Sequence, residues 1–157
     1  MNKDNQDLRG EINMKFDIIG DIHGCYEELL ELIALLGYEE SQGIYRHPEG
    51  RQMSFVGDAM DRGPCSLEVL RLLFRMQDAE LLNYSPGNHC NKLYRFFKGN
   101  PVHINNGLET TLEEWRALPK TEQRHFRARY IEFYSRLPLY QKLSLDLVVA
   151  HAGIRED

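Results

Sequence analysis

Side chains of the types that bind metals or transfer protons follow four separate apolar runs of this sequence. In chain order they are Asp21, His23, Asp58, Asp61, Arg62, Asn88, His89 and His151. Carboxylate, amide and imidazole groups without a thiolate suit Mn, Fe, Co, Ni or Zn as divalent ions. The set therefore predicts a metal centre built from oxygen and nitrogen ligands, and it leaves the choice among these metals open.

The first pair, Asp21 and His23, is two residues apart and is flanked by Gly20 and Gly24. This spacing lets an oxygen and an imidazole nitrogen reach one cation, and the glycines allow a tight turn with room for a phosphate. An Asp-x-His pair also occurs in ordinary loops. This segment by itself is thus compatible with a metal site and with a plain surface turn.

The second segment runs from Gly57 to Gly63 and places Asp58 directly after an apolar run. A carboxylate at that point could bridge two metals. Asp61 and Arg62 come one turn later, and an exposed Asp–Arg ion pair of little energetic value is the alternative interpretation.

The third and fourth segments supply an amide and two imidazoles. Asn88 offers a neutral carbonyl ligand beside His89, which need not bind metal, and His151 ends the last apolar run. A single histidine at the end of a buried strand is commonly a packed core residue. Its assignment as a ligand depends on the other segments lying nearby.

A β-α alternation would bring these segments together. We expect strands at 16–19, 53–56, 81–84 and 147–150, a small hairpin at 45–51 around Pro48, and helices at 25–36, 66–76 (capped by Ser66), 91–97, 108–118 and 121–137. Open α/β sheets form their sites where the strands end. The four strand ends are therefore predicted to converge on one edge of one sheet.

Composition limits the classes of function. With 157 residues the chain fits one domain, and its net charge of -5 argues against a broad basic face for stable DNA binding. A nucleotide substrate remains compatible, because bound divalent metals reverse the local sign of charge. Three cysteines without a CxxC pair argue against a disulfide framework or a structural zinc site.

The N-terminal stretch and the apolar runs indicate where the protein works. Residues 1–13 are polar, lack the apolar region of a signal peptide and are predicted to be a disordered leader. No apolar stretch is long enough to span a bilayer. We therefore expect a cytoplasmic protein without a membrane partner.

Four motifs together resemble the calcineurin-like metallophosphoesterases: GDIHG at 20–24, GDAMDRG at 57–63, GNH at 87–89 and HAG at 151–153. Within that superfamily the chain is similar to the branch of phosphoprotein phosphatases and bacterial asymmetrical bis(5'-nucleosyl)-tetraphosphatases. Residues 87–102, 107–111 and 151–155 look especially like the tetraphosphatase type. A related module occurs in bacterial polynucleotide kinase–phosphatases.

The resemblance covers 16–157 and implies a layered α-β-β-α sandwich, of which residues 14–157 would form the N-terminal part. It implies ligation of one metal by Asp21 and His23, of a second by Asn88 and His151, and of both by Asp58. Two such metals, about 3.5–4 Å apart, polarise a phosphoryl group and activate water.

The resemblance also implies the catalytic roles. His89, oriented by Asp61, would protonate the leaving group, while Arg62 and Asn88 would contact the phosphate. Lys92 and Arg95, with Lys98, share a helical face and could bind a polyphosphate chain, although a solvated face is equally compatible with them. Diadenosine tetraphosphate is the substrate that the resemblance favours, and a phosphoprotein or an RNA terminal phosphate remains open.

The sequence departs from the family at three points. No Gly-His-Thr motif is present to supply a further histidine, so we expect an incomplete domain with a weaker second metal site. Cys90 stands where many relatives have Asp or Glu, and Asn106 stands where a histidine is usual. The roles of these two residues stay open.

Two other functions are compatible with parts of the sequence. His89 and Cys90 followed by Arg95 are similar to the loop of a cysteine phosphatase. The four residues between Cys90 and Arg95 are, however, one fewer than that loop requires, and they look helical. The second alternative is a metal- or nucleotide-binding remnant that no longer turns over.

Overall fold

The structure, a computed structural model, describes residues 14–153, so the predicted leader at 1–13 and residues 154–157 lie outside the described part. The elements are β1 Phe16–Ile19, α1 Tyr26–Leu35, β2 Glu39–Ser41, β3 Ile44–Arg46, β4 Gln52–Gly57, α2 Ser66–Asp78, β5 Asn83–Pro86, α3 Asn88–Phe97, α4 Leu108–Ala117, α5 Lys120–Ser135, β6 Tyr140–Lys142 and β7 Val148–Ala150. Among residues 14–153, no helix has the length and apolar character needed to cross a membrane.

A three-stranded parallel sheet positions most of the polar segments. Strand β4 lies between β1 and β5 and pairs in parallel with both. Its residues Met53, Ser54 and Phe55 are all buried, and because successive side chains of a strand point to opposite faces, both faces of β4 are covered. The carboxyl ends of all three strands therefore lie on one edge, and the α/β class predicted from the sequence is confirmed.

The fourth strand predicted from the sequence belongs to a different sheet. Strand β7 pairs with β6 in an antiparallel two-stranded sheet. Gln141 of β6 joins the two sheets, because its side chain donates to the Phe55 carbonyl over 2.9 Å and accepts from the Ser54 hydroxyl over 3.1 Å. The prediction of four strand ends on one sheet is thus wrong, although β7 is held against the first sheet.

The small hairpin lies earlier than predicted. Strands β2 and β3 pair around Gln42 and Gly43, whose φ angles are 55° and 76°. Positive φ at both loop residues is typical of the type I′ turn that matches strand twist. Gln-Gly is a weaker sequence signal for this turn than Asn-Gly. The hairpin was therefore predicted around Pro48, where a proline and a glycine indicate a turn.

Strand β5 and helix α3 also differ from the predicted bounds. The amide of Leu81 donates to the Met76 carbonyl over 2.9 Å and closes the end of α2, so β5 begins two residues later than predicted, at Asn83. Helix α3 begins at Asn88 instead of residue 91. As a consequence, Asn88 and His89 occupy the first turn of a helix, where backbone amides are free to donate.

The N-terminus of α2 is capped by a side chain from a distant helix. The prediction that Ser66 caps α2 is wrong: Cys65 is the cap residue and makes no side-chain capping bond. The carboxylate of Glu114, in α4, accepts instead from the amides of Ser66 and Leu67, over 2.8 and 2.9 Å. Burial raises the pKa of the Glu114 carboxyl, and the two donated hydrogen bonds oppose that shift.

Replacing Glu114 with Ala is expected to lower the free energy of unfolding by about 1–2 kcal/mol, because two helix-terminal amides lose their acceptor. Urea denaturation measures the change. Glu113→Ala is the matched control, since Glu113 is exposed on the same helix. Equal losses for both variants would show that α2 does not depend on this cap.

Helices α3 and α5 pack through a cluster of aromatic side chains. The buried residues of α5 are Gln123, Phe126, Tyr130 and Phe133, which form one stripe along an otherwise charged helix. The Tyr130 hydroxyl donates to the Cys90 carbonyl over 2.9 Å. This bond holds the start of α3, and the rings of Tyr130 and Phe97, whose centroids are 5.6 Å apart, pack at the end of that helix.

Candidate active site

Three of the predicted metal ligands meet at the carboxyl edge of the parallel sheet. Asp21, His23 and Asp58 each offer a ligand atom, and these atoms lie within 4.8 Å of one another. Asp58 is buried while Asp21 is exposed, so the cluster is anchored in the protein and open on one side. Two carboxylates and one imidazole at this spacing are a donor set that fits a divalent cation.

His23 is oriented by the backbone. Its Nδ1 lies 3.0 Å from the carbonyl oxygen of Met60. Because a carbonyl can only accept, Nδ1 carries the hydrogen, and the lone pair of Nε2 is available as a ligand. The tautomer that a metal requires is thus fixed by a backbone group that sequence reasoning did not single out.

Asp58 occupies the centre of the cluster. Its amide donates to Asp21 Oδ1 over 2.9 Å, and its own Oδ1 accepts from the His89 amide over 2.9 Å. The other oxygen, Oδ2, lies 3.8 Å from His151 Nε2 and 3.9 Å from His89 Nε2. The Asp58 carboxylate thus lies near the ligand atoms of Asp21 and His23 and also faces His151, an arrangement that is compatible with a bridging role.

The remaining two predicted ligands adjoin Asp58 from another direction. His151 Nε2 lies 3.2 Å from Asn88 Oδ1, and His151 Nδ1 lies 3.3 Å from Asp21 Oδ1. His151 arrives from β7 and Asn88 from the first turn of α3. The structure thus brings all five side chains to one place, even though their strands belong to two sheets.

Two glycines make this close approach possible. A Cβ at Gly87 would overlap the Asp58 carboxylate. A Cβ at Gly57, whose φ is +95°, would overlap the Asp21 carboxylate and lie 2.5 Å from His151 Nδ1. Because these two glycines have no side chain, the Asp21 and Asp58 carboxylates can lie against the backbone there. This close packing of the proposed ligands supports the presence of a metal centre.

A histidine–carboxylate pair lies beside the cluster. His89 Nδ1 is 2.8 Å from Asp61 Oδ2, and the two residues are 5% and 0% exposed. An ionised carboxylate only accepts, so Nδ1 carries the hydrogen and Nε2 is the nitrogen on the side of Asp58. The rings of His89 and His23 meet edge to face with centroids 5.1 Å apart.

The loop that contains Asp61 and Arg62 has an unusual backbone. Both residues have left-handed φ angles, 73° and 71°. Such conformations cost about 1–3 kcal/mol each for residues other than glycine, and they persist where the surroundings impose them. Here the Asp61 amide donates to Ser66 Oγ over 3.0 Å and to Thr111 Oγ1 over 3.1 Å, and the Arg62 amide donates to the Gly107 carbonyl over 3.3 Å.

Cys90 does not behave as a nucleophile. It is 1% exposed, and burial raises the pKa of its thiol to about 11. Its Sγ lies 2.9 Å from the Tyr84 hydroxyl. A cysteine phosphatase needs an accessible thiolate near neutral pH, so this structure argues against that alternative.

Two basic residues of α3, Lys92 and Arg95, have different surroundings. Lys92 Nζ donates to the backbone carbonyl of Asn105 over 2.8 Å and to its side-chain oxygen over 2.6 Å, so it anchors the loop before α4. Arg95 is exposed. Asn106 follows in that loop with a left-handed φ of 60°, which asparagine tolerates. Contact of Lys92 or Arg95 with substrate stays a prediction.

Sequence reasoning missed Thr111, Ser66 and Glu114 as partners of the site. Thr111 lies in the Gly-Leu-Glu-Thr-Thr stretch noted above, but no signal singled out its hydroxyl. Thr111 lies on the same side of α4 as Gly107. Its role as a partner of Asp61 can be recognised only when the position of α4 against the Asp61 loop is known.

Comparison with known proteins adds the family. The family model described as calcineurin-like phosphoesterase matches residues 14–157. The chain belongs to this family. The motif-based expectation is therefore confirmed.

Relatives in this phosphoesterase family are named asymmetrical bis(5'-nucleosyl)-tetraphosphatase PrpE. The Geobacillus sp. (strain WCH70) protein is 53% identical over 145 residues, 92% of this chain and 59% of the relative. The Halalkalibacterium halodurans protein is 54% identical and the Bacillus subtilis protein 50%, each with the same coverage of 92% and 59%. This chain thus spans about 59% of the length of the curated relatives it matches.

A solved structure shows the same fold. The crystal structure of "a putative diadenosine tetraphosphatase" matches with a TM-score of 0.60 and 25% identity, covering 91% of this chain and 52% of that protein. The phosphoesterase fold of residues 14–153 is therefore supported by a family model and by an experimental structure.

Proposed function

We propose that this chain provides the catalytic centre of a metal-dependent hydrolase that cleaves a phosphoanhydride bond of bis(5'-nucleosyl) tetraphosphates asymmetrically. The observation that carries the proposal is the buried His89–Asp61 pair at the side of the Asp21, His23 and Asp58 cluster. A metal centre beside an oriented imidazole suits transfer of a phosphoryl group to water. The names of the relatives support the choice of substrate.

The cofactors in this proposal are two divalent ions, Mn²⁺ for preference, with Fe, Ni, Co or Zn as alternatives. The residues that would hold them are Asp21, His23, Asp58, Asn88 and His151. Bound ions would polarise the phosphoryl oxygens and make water nucleophilic near neutral pH. None of these five residues offers a thiolate, so only oxygen and nitrogen atoms would hold the ions.

The chain's own residues would bind the phosphate and supply the proton. His89 would donate from Nε2 to the leaving oxygen, and Asp61 holds Nδ1 so that the ring keeps this orientation. Arg62 is exposed at the rim and can offer two parallel N–H donors to phosphoryl oxygens. The side-chain amide of Asn88 would contact the phosphate. Lys92 and Arg95 would lie along the polyphosphate chain.

The test is product analysis on a panel of substrates with Mn²⁺. The panel contains diadenosine tetraphosphate, a phosphoserine peptide, an RNA with a terminal phosphate and p-nitrophenyl phosphate. We expect ATP and AMP in equal amounts from diadenosine tetraphosphate, since the cleavage is asymmetrical. Chelation should remove the activity and added Mn²⁺ should restore it, whereas Cys90→Ala should retain it because Cys90 is buried.

Other outcomes would redirect the assignment. Formation of two ADP molecules would contradict asymmetrical cleavage. A higher kcat/KM on the peptide or on the RNA would replace the substrate with a phosphoprotein or a polynucleotide end. Binding of Mn²⁺ without hydrolysis of any panel member would indicate the remnant that binds metal without turnover.

A further inference from the structure

One side of α4 contacts the loop that contains Asp61 and Arg62. Gly107, Thr111 and Glu114 are spaced four and three residues apart, so they lie on the same side of α4, with Gly107 as its cap residue. The Gly107 carbonyl accepts from the Arg62 amide over 3.3 Å, and the Thr111 hydroxyl lies 2.6 Å from Asp61 Oδ1. The Glu114 carboxylate holds the first amides of α2, directly after the loop.

The hydrogen bonds of Thr111 have a defined direction. The Asp61 amide can only donate, so Thr111 Oγ1 accepts there over 3.1 Å. The Asp61 carboxylate can only accept when ionised, so the Thr111 hydroxyl donates to Oδ1 over 2.6 Å. Thr111 and Asp61 are both 0% exposed, so water does not compete for these bonds.

The two carboxylate oxygens of Asp61 therefore have separate partners. Oδ1 accepts from Thr111 and Oδ2 lies 2.8 Å from His89 Nδ1. A carboxylate bonded at only one oxygen can rotate about its Cβ–Cγ bond, and the imidazole it holds can follow. With both oxygens bonded, the rotation is fixed and so is the direction of His89 Nε2.

We propose that Thr111 is a positioning residue for phosphoester hydrolysis, which acts by fixing the Asp61 carboxylate and through it the His89 ring. The kinetic part of this proposal rests on the proposed function. The loop itself does not depend on the Thr111 hydroxyl alone, because the Asp61 amide also donates to Ser66 Oγ over 3.0 Å. Loss of the hydroxyl should thus affect orientation more than folding.

The kinetic test compares Thr111→Val, which removes the hydroxyl at similar volume, with Thr111→Ser, which keeps it. On an aryl phosphate with a poor leaving group, Thr111→Val should lower kcat roughly tenfold, a fraction of the hundredfold to ten-thousandfold that an acid can supply. On p-nitrophenyl phosphate the loss should be small, and Thr111→Ser should restore both rates. Thr110→Val is the matched control, since the Thr110 hydroxyl bonds the Gly107 carbonyl at 2.8 Å and not Asp61.

A second readout does not require hydrolysis. The Nδ1–H proton of His89 should give a downfield NMR signal in the metal-free protein, assigned by its absence from His89→Gln. Thr111→Val should shift or broaden this signal, whereas Thr110→Val and Thr111→Ser should leave it in place. If Thr111→Val does not fold, Thr111→Ala is measured instead, with circular dichroism as the check on folding.

The outcomes separate this proposal from the proposed function. If the wild-type chain hydrolyses nothing but the His89 signal responds to Thr111→Val, the proposed function fails and the positioning contact stands. If the wild-type chain is active and Thr111→Val leaves both the signal and the dependence on the leaving group unchanged, the proposal for Thr111 is wrong. A uniform loss on all substrates with an unchanged signal would indicate a structural role and would also overturn it.

Discussion

Replacing Asp58 with Asn is expected to remove metal-dependent phosphoester hydrolysis, by roughly a thousandfold or more, while the fold is retained. Asp58 is the carboxylate at the centre of the site, with one oxygen bonded to the His89 amide and the other facing His151. An asparagine has nearly the same shape but no charge, so it cannot offset the charge of two cations. The measurement is kcat on diadenosine tetraphosphate across a range of Mn²⁺ concentrations.

The same variant should separate metal binding from folding. In the wild-type chain, Mn²⁺ should raise the melting temperature, because a ligand that binds only the folded state stabilises it. In Asp58→Asn this rise should be lost or much reduced. The metal-free variant should melt no lower than the wild-type chain, since the substitution removes a buried negative charge close to Asp21.

Asp17→Asn is the matched control. Asp17 is also a buried aspartate, but it lies inside β1, four residues before Asp21, and accepts from Tyr38 and Arg51. Its replacement should lower stability without changing the rise produced by Mn²⁺. If Asp58→Asn keeps that rise and its activity, the central role of Asp58 is wrong.

The part of the site that lies at the ends of the parallel strands could be predicted from the sequence. Asp21 and Asp58 directly follow apolar runs that form parallel strands, and parallel strands end on the same edge of a sheet. This rule brings the two carboxylates together without any knowledge of side-chain contacts. The family motifs then supplied the roles of these residues, and those roles stay predictions.

The contribution of β7 was not predictable in the same way. Strand pairing between distant segments is decided by tertiary packing, and residues 147–150 give no sign that their partner is β6 and not the parallel sheet. His151 reaches the site because Gln141 fixes the second sheet against Phe55 of the first. An apolar run predicts a strand, but it does not identify the neighbour of that strand.

The supporting contacts were missed for a related reason. Glu114 caps a helix that begins 48 residues earlier in the chain, and Thr111 bonds a carboxylate 50 residues earlier. Capping rules describe bonds within one or two turns, so they pointed to Ser66. Ser66 instead holds the strained Asp61 amide, a role that only the left-handed backbone of that loop makes necessary.

Replacing His89 with Ala is expected to lower kcat by about a hundredfold to ten-thousandfold on phosphate esters with poor leaving groups. The loss on p-nitrophenyl phosphate should be much smaller, because its leaving group departs without a proton. The reason is the position of His89, which is oriented by Asp61 at 2.8 Å and has Nε2 on the side of the metal cluster. The measurement is kcat for a series of aryl phosphates at saturating Mn²⁺, with His125→Ala, an exposed histidine of α5, as the control.

The slope of that series distinguishes an acid from a metal ligand. His89 Nε2 lies 3.9 Å from Asp58 Oδ2, close enough that ligation is the main competing role. Loss of a ligand would weaken Mn²⁺ binding and reduce turnover by the same factor for every leaving group. Loss of an acid leaves Mn²⁺ affinity unchanged and makes the rate depend more steeply on the pKa of the departing alcohol. A flat series together with weaker Mn²⁺ binding would therefore assign His89 to the metal and leave the protonation step to another group.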